Sequence, residues 1–418
     1  MSHRSEGLET GNVFDTLKER GFIQQVTDEA ALSEILKKEK VAAYIGFDPT
    51  ADSLHAGSLI PIMALMHFQR HGHFPIVVLG DGTAMIGDPS GKIEMRKMLY
   101  EEQIRNNSKK IEAQLNRYLH FDEGKAAVVH NGDWLLKLNY IEFLREIGRH
   151  FSVNRMLAAE SYKLRLETGL SFLEFNYQLL QAYDFLMLFR THRCILQMGG
   201  DDQWGNIVAG IDLIRRMEGK EAYGLTFPLL VAAGGQKMGK TARGAVWLDS
   251  EKTTPYEYYQ YWVNVDDRDV KRFLAFFTFL PMSEVNRLGS LQGADLREAK
   301  RVLAYEATKI THGEAEAKAA EQAARAIFGA EKGDLEAMPT TRIAREQLDQ
   351  GINVVDLFYL VGLVSSKSDG RRLIHQGGCY INDIKVASID QRVTLSQLNN
   401  SGIILRVGQK RYHRVVVE

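Results

Sequence analysis

Cysteine is almost missing: the 418 residues contain only Cys194 and Cys379. Two such thiols exclude a disulfide framework and a four-cysteine zinc site. They fit a reducing compartment and are expected simply to pack. An excess of one charge is also lacking, since 52 Lys and Arg stand against 53 Asp and Glu, a formal net charge of −1. That balance argues against an overwhelmingly basic polymer binder while leaving room for local asymmetry. No apolar run approaches the ~20 residues of a membrane span. The opening MSHRSEGLETGN is polar where a secretory leader would be basic and then apolar. A cytoplasmic protein with no membrane partner is expected.

What is present points to a multidomain enzyme-sized chain. With 45% hydrophobic and 25% charged residues over this length, about two or three domains are expected. From Val41 to about Gly235, short apolar runs alternate with longer amphipathic stretches. VAAYIGF, FPIVVLG, AAVVHNGDW and RCILQMGG read as buried parallel strands, and LIPIMALMHFQRHG and EEQIRNNSKKIEAQLNRYLH as helices between them. This pattern predicts an α/β domain with a doubly wound parallel sheet over residues 1–248. Ligands bind such sheets at the carboxyl ends of the strands.

Residues 249–330, rich in Ala, Glu and Lys in their later part, are expected to form an α-helical domain. Residues 331–350 read as a linker. Residues 351–418 suggest a small C-terminal α+β module of two short helices and several strands. That module is basic, with nine Lys and Arg against five acids, an excess of four.

The polar residues with chemical potential cluster after the predicted strands. His55 stands two residues before Gly57, which removes bulk where a phosphate could approach a helix start. The unpaired N–H groups and positive dipole end there favour anions, and Thr50 adds a hydroxyl. Taken alone, a histidine at such a helix start is more often an ordinary cap or surface residue. Lys237 and Lys240 flank Gly239 in QKMGKT and are suited to neutralising a phosphate chain. A solvated basic loop is the alternative, and the spacing is not that of a Walker P-loop. On a helix over NYQLLQAYDF, Tyr177, Gln181 and Asp184 share one face, either for a polar ligand or for a buried hydrogen-bond network. Asp202 and Gln203 in GGDDQWGN suit ribose hydroxyls or a small polar ligand. Asp88 and Lys92 lie in GDPSGK, which also reads as a plain turn.

The His-x-Gly element followed by a Lys-x-x-Lys loop resembles the two signatures of class I aminoacyl-tRNA synthetases. YIGFDPTADSLHAGS, GDPSGK, YQLLQAYDF, GGDDQWGN and KMGKT, in that order, are similar to the bacterial tyrosyl-tRNA synthetases over nearly the whole chain. INVVDLFYLVGLVSSKSDGRRLIHQGGCYIND resembles the S4-like RNA-binding domain of that family. The resemblance implies formation of tyrosyl-adenylate from L-tyrosine and ATP, then transfer to tRNA(Tyr), by a homodimer.

It also implies roles for individual residues. Tyr44 and Asp184 would hold the phenol hydroxyl, Thr83, Asp88, Tyr177 and Gln181 the α-amino group, and Gln203 the carboxylate region. Gly46, Asp48, Gly57, Ser58, Gly199, Asp202 and Lys240 would line the ATP site. His55 and Thr50 would face the phosphates, with Lys237 and Lys240 closing over the pyrophosphate. Lys367, Arg371 and Arg372 are the candidate tRNA contacts. Mg²⁺ would arrive with ATP, and neither an organic cofactor nor a dedicated metal cage is expected. The chain departs from the family pattern at Ser58, where a second histidine is common, and in Lys-Met-Gly-Lys-Thr, where the class has Lys-Met-Ser-Lys-Ser. A tryptophan-specific synthetase, a nucleotidylyltransferase and an RNA-binding protein without catalysis remain the competing readings.

Overall fold

The computed structural model describes residues 9, 11–90, 99–158, 160–231, 233, 235, 238–241, 244–328, 338–382, 384–398, 402–408 and 411–417. Their contacts divide the chain into two compact units.

The first unit holds residues 1–240, 245–249 and 265–299. Its six-stranded sheet contains β1 (Gln25–Val26), β2 (Ala42–Phe47), β3 (Phe74–Leu79), β4 (Ala127–His130), β5 (Cys194–Gly200) and β6 (Tyr223–Phe227), in the spatial order β1-β6-β5-β2-β3-β4. The four predicted strands are all there and run parallel. β6 extends the parallel set, but β1 pairs with it antiparallel, so the sheet is mixed where an all-parallel one was expected. β1 is only two residues long and lacks the apolar run that marks a buried strand; its pairing is supplied entirely by β6. Strand order reverses between β2 and β5, and their carboxyl ends carry Gly46-Phe47-Asp48 and Gly199-Gly200. In an open α/β sheet this switch point is where a crevice opens.

Two helices frame the loops at that end. Leu59–Arg70 buries residues all around its axis, among them Ile62, Met63, Leu65 and Phe68, and takes Pro61 in its first turn, where the missing N–H costs nothing. Glu101–Leu115 shows the opposite pattern, with a single stripe of Ile104, Ser108, Ile111 and Leu115 buried. The expected helical domain 249–330 is divided, because residues 265–299 join the sheet unit. The reason is in its packing: Phe273, Phe276 and Phe277 are buried, and Arg20 donates to the carbonyls of Ala275, Thr278 and Leu280.

The second unit holds residues 241–244, 250–264 and 300–418. Helix Pro255–Val263 begins at a capping box between Thr254 and Glu257 and packs on helix Glu314–Phe328. A five-stranded sheet runs in the order Ile384–Lys385, Cys379–Ile381, Ile403–Val407, Arg411–Val417, Thr340–Ile343. With helices Val354–Leu360 and Lys367–His375 it encloses a core of Leu357, Phe358, Ile374, Cys379, Leu405 and Val415. The stretch expected to be a linker contributes an edge strand, Thr340–Ile343, because parallel pairing with Arg411–Val417 satisfies a backbone that its own sequence leaves unmarked. Both cysteines are buried and free. Among the described residues no helix is long and apolar enough to cross a membrane.

Candidate active site at the switch point of the sheet

The loop after β2 brings His55 to Gly57, and the chain after Met238 packs directly on it. Ala56 N donates to Val246 O at 2.8 Å, Leu248 N to Leu54 O at 2.9 Å, and Val246 N to Gly239 O at 2.8 Å. The His55 ring meets Trp247 edge-on with centroids 6.4 Å apart. Both glycines are required by this crossing. A Cβ on Gly57 would lie 2.7 Å from His55 Cε1 and 3.1 Å from Met238 O. One on Gly239 would lie 2.7 Å from Gly57 N, at a φ of +76° that side chains rarely adopt.

The two loops that the sequence singled out thus form one structure. Gly57 N also donates to His55 Nδ1 at 3.0 Å, so the proton of the neutral ring resides on Nε2, which is thereby a donor. Ser58 stands at the N-cap of helix Leu59–Arg70, and its hydroxyl makes no cap hydrogen bond.

Polar side chains from several elements of the same unit form two hydrogen-bonded groups. Asp184 is 4% exposed. Asn131 Nδ2 donates to its Oδ2 at 2.9 Å, and Trp134 Nε1 to its Oδ1 at 2.7 Å. Burial raises its carboxyl to about 7 against these two stabilising hydrogen bonds. Tyr44, 2% exposed, has a hydroxyl with no hydrogen-bond partner, and burial followed by the Asp184 charge holds it well above the ordinary tyrosine range. A buried phenol left unpaired beside a carboxylate is costly unless a ligand completes it.

Tyr177 Oη donates to Asp48 Oδ2 at 2.9 Å and Thr83 Oγ1 to Asp48 Oδ1 at 2.8 Å, while Asn131 Nδ2 reaches Thr83 Oγ1 at 3.0 Å. Gln203 Nε2 donates to Asp88 Oδ2 at 2.7 Å. Buried Asn206 donates to Gln181 Oε1 at 3.0 Å and to Gln203 Oε1 at 3.2 Å. Buried Tyr44 and Asp184 thus mark one polar end of the site, and Asp48 and Asp88 carry carboxylates suited to an ammonium group.

Comparison with known proteins shows the family. Residues 36–329 match the family of class I tRNA synthetases (W and Y). The chain belongs to that family. Residues 331–415 match the SYY-like C-terminal domain of tyrosine–tRNA ligase. The tyrosine–tRNA ligase of Syntrophus aciditrophicus is 56% identical, covering 97% of this chain and 99% of that protein. That of Acetivibrio thermocellus is 54% identical with the same two coverages, 97% and 99%. Among solved structures, a C-terminally truncated mitochondrial tyrosyl-tRNA synthetase from Aspergillus nidulans aligns with a TM-score of 0.68 at 31% identity, covering 76% of this chain and 95% of that one.

Within this class I synthetase, hydrogen bonds join Asp184, Thr83, Asp48 and Tyr177 through Asn131, and separately Gln181, Gln203 and Asp88 through Asn206 and Gln203. The Tyr44 hydroxyl belongs to neither group. Asp48, which the family resemblance allots to ATP, accepts hydrogen bonds from Tyr177 and Thr83, which it allots to the amino group. Gly46 and Thr50 are exposed at the carboxyl end of β2. Gly199 lies against Gln203, and Asp202 against Gly200. Lys92, Lys237 and the side chain of Lys240 lie outside the described residues.

In the second unit Lys367 is paired with Asp356 and Arg372 with Asp369, while Arg371 is exposed with no ion pair among the described residues. Sequence reasoning did not single out Asn131, Trp134 or Asn206. The first two lie in HNGDW at the carboxyl end of β4, and the available signal was polar residues directly following a buried strand.

Proposed function

We infer that this chain is a tyrosine–tRNA ligase. It activates L-tyrosine with ATP and then passes the tyrosyl group to the 3′-terminal adenosine of tRNA(Tyr). The observation that carries this reading is the unpaired, buried Tyr44 hydroxyl next to Asp184, a pairing completed by the phenol of tyrosine. Phenylalanine would leave the buried Tyr44 hydroxyl unpaired. Tryptophan would present no hydroxyl to them.

In the first step a carboxylate oxygen of tyrosine bonds to the α-phosphorus of ATP, and the bond to the bridging oxygen breaks, releasing pyrophosphate. The nucleophile is already ionised at neutral pH, so no general base is needed. Catalysis rests on alignment and on donors aimed at the developing charge. His55 Nε2–H is such a donor, and Lys237 and Lys240 would supply cations to the phosphates. Asp48, Asp88, Tyr177 and Gln181 hold the α-amino group, which fixes the carboxylate for attack. In the second step a terminal ribose hydroxyl attacks the mixed anhydride and AMP leaves. Mg²⁺ would accompany ATP, held largely by phosphate oxygens and neutralising their charge. Gly46, Gly199 and Asp202 would line the adenosine pocket.

Residues 1–248 would serve activation. Residues 249–330 and the S4-like module 351–418 would bind tRNA, with Lys367, Arg371 and Arg372 on the phosphates. A homodimer is supported by the crowding of exposed apolar side chains between residues 136 and 172, among them Tyr140, Ile141, Val153 and Phe172. Pyrophosphate exchange across the twenty amino acids tests the assignment. Exchange dependent on tyrosine alone is expected; exchange with tryptophan, or with none, overturns it.

A further inference from the structure

Away from the switch point, helix Leu59–Arg70 ends in a group of side chains that the tyrosine chemistry does not use. His67 and His71 are spaced i, i+4, so they lie on one face. His67 is fully buried, edge-on to Phe22 and Phe279 with centroids 5.7 and 5.0 Å away, and neither ring nitrogen has a hydrogen-bond partner. A purely apolar slot would be filled better by phenylalanine, so two orphaned nitrogens require an explanation.

Beside it, His71 Nδ1 lies 2.8 Å from the carbonyl oxygen of His67 and donates to it, which makes Nε2 the ring's acceptor, its lone pair taking the Thr16 hydroxyl that a metal would displace. The Nδ1 bond is the second hydrogen bond that metal-ligating histidines usually make. His71 Nε2 is 3.5 Å from Glu9 Oε2 and 3.2 Å from Thr16 Oγ1. Glu9 Oε1 accepts from Arg70 Nε at 2.5 Å, and Glu9 N donates to Arg70 O at 2.8 Å.

We propose that Glu9, His67 and His71 form a binding site for a zinc-type divalent metal ion, fastening the N-terminal segment to the end of helix Leu59–Arg70. The three ligand atoms lie within 4.8 Å of one another. A tetrahedral zinc site with bonds of about 2.0–2.1 Å has ligand edges of roughly 3.3–3.5 Å. The separation of 3.5 Å between His71 and Glu9 already fits. The His67 nitrogen, within 4.8 Å of both, would close in on them by up to about 1.5 Å to reach such edges, and a water would take the fourth position.

The nearby cations oppose a metal, but both arginines are engaged. Arg20 donates to three carbonyls, and Arg70 binds Glu9 and stacks on Phe279 at 4.2 Å. The negative end of the helix dipole at His71 favours a cation.

The test uses the full chain without an affinity tag, stripped with EDTA and titrated with Zn²⁺, and separately with Co²⁺ to read tetrahedral d–d absorption. One ion per chain is expected, with a rise in unfolding temperature. His71→Ala and Glu9→Gln should each lose at least about tenfold in affinity, the loss that even an outer-shell change can bring. His67→Phe, which preserves the aromatic packing, should fold yet lose the tetrahedral Co²⁺ spectrum. No stoichiometric uptake by the unaltered chain, or equal uptake by all three variants, would overturn the proposal and leave His67 as an aromatic spacer.

Discussion

Replacing Asp184 with asparagine should change stability in a way that depends on pH. The two carboxylate oxygens accept from two different donors, Asn131 and Trp134. In Asp184→Asn either orientation of the amide turns its NH₂ toward one of them, leaving a buried donor against a donor at a cost of about 1–3 kcal/mol. The wild-type carboxyl carries a cost of its own. Burial raises it from 3.8 to about 7, so between those values the native state holds a proton that the unfolded state has released.

Stability from this group is therefore greatest below about pH 4 and falls as pH rises through 7. The full loss is roughly 4 kcal/mol, slightly over three pH units at about 1.4 kcal/mol each. Asparagine has no such titration. Relative to wild type, Asp184→Asn should gain roughly 3 kcal/mol between pH 4.5 and pH 8, moving from a deficit to parity or beyond. Urea denaturation of both proteins at the two pH values measures this, since titrations common to both cancel. An offset that is the same at both would refute the reasoning.

Other outcomes follow from the same geometry. His55→Ala, Lys237→Ala and Lys240→Ala should each slow adenylate formation by roughly 10²–10³ with little change in tyrosine affinity, read by single-turnover kinetics; unaltered rates would remove these residues from catalysis. Gly57→Ala should behave like His55→Ala, because its Cβ would press on His55 Cε1 at 2.7 Å, and a fully active variant would show that the contact between the loops is dispensable. Preference for tyrosine over phenylalanine should narrow as pH falls below about 7 and Asp184 takes up its proton; a flat ratio from pH 6 to 8 would contradict a role for its charge. Arg371→Ala should reduce the salt dependence of tRNA binding by about one unit of log–log slope. Arg372→Ala should do less, since its guanidinium is tied to Asp369.

Much of the fold was legible because its signals are local. The four parallel strands that carry the site are continuous apolar runs, and each is followed by the glycines and polar residues that a ligand loop needs. Tyr177, Gln181 and Asp184 could be set on one face because helix periodicity is fixed by the backbone alone. The strands Gln25–Val26 and Thr340–Ile343 could not be found this way. Each is an edge whose pairing comes from a partner 60 or more residues distant, and neither has an apolar pattern of its own.

The sequence by itself determined the order and spacing of the chemistry-bearing loops, the near-absence of thiol chemistry and the basic C-terminal module. Only the tertiary structure decided which of those residues meet. It seated Gly239 against Gly57, and so joined two signatures about 180 residues apart. It gave Asp184 its partners, Asn131 and Trp134, from the end of another strand, and brought Glu9 to His67 and His71. The physical reason is the same in each case. A residue's type and local periodicity are written in neighbouring letters, whereas burial, hydrogen-bond partnership and the shift of a carboxyl from 3.8 to about 7 depend on what distant segments bring to the same point.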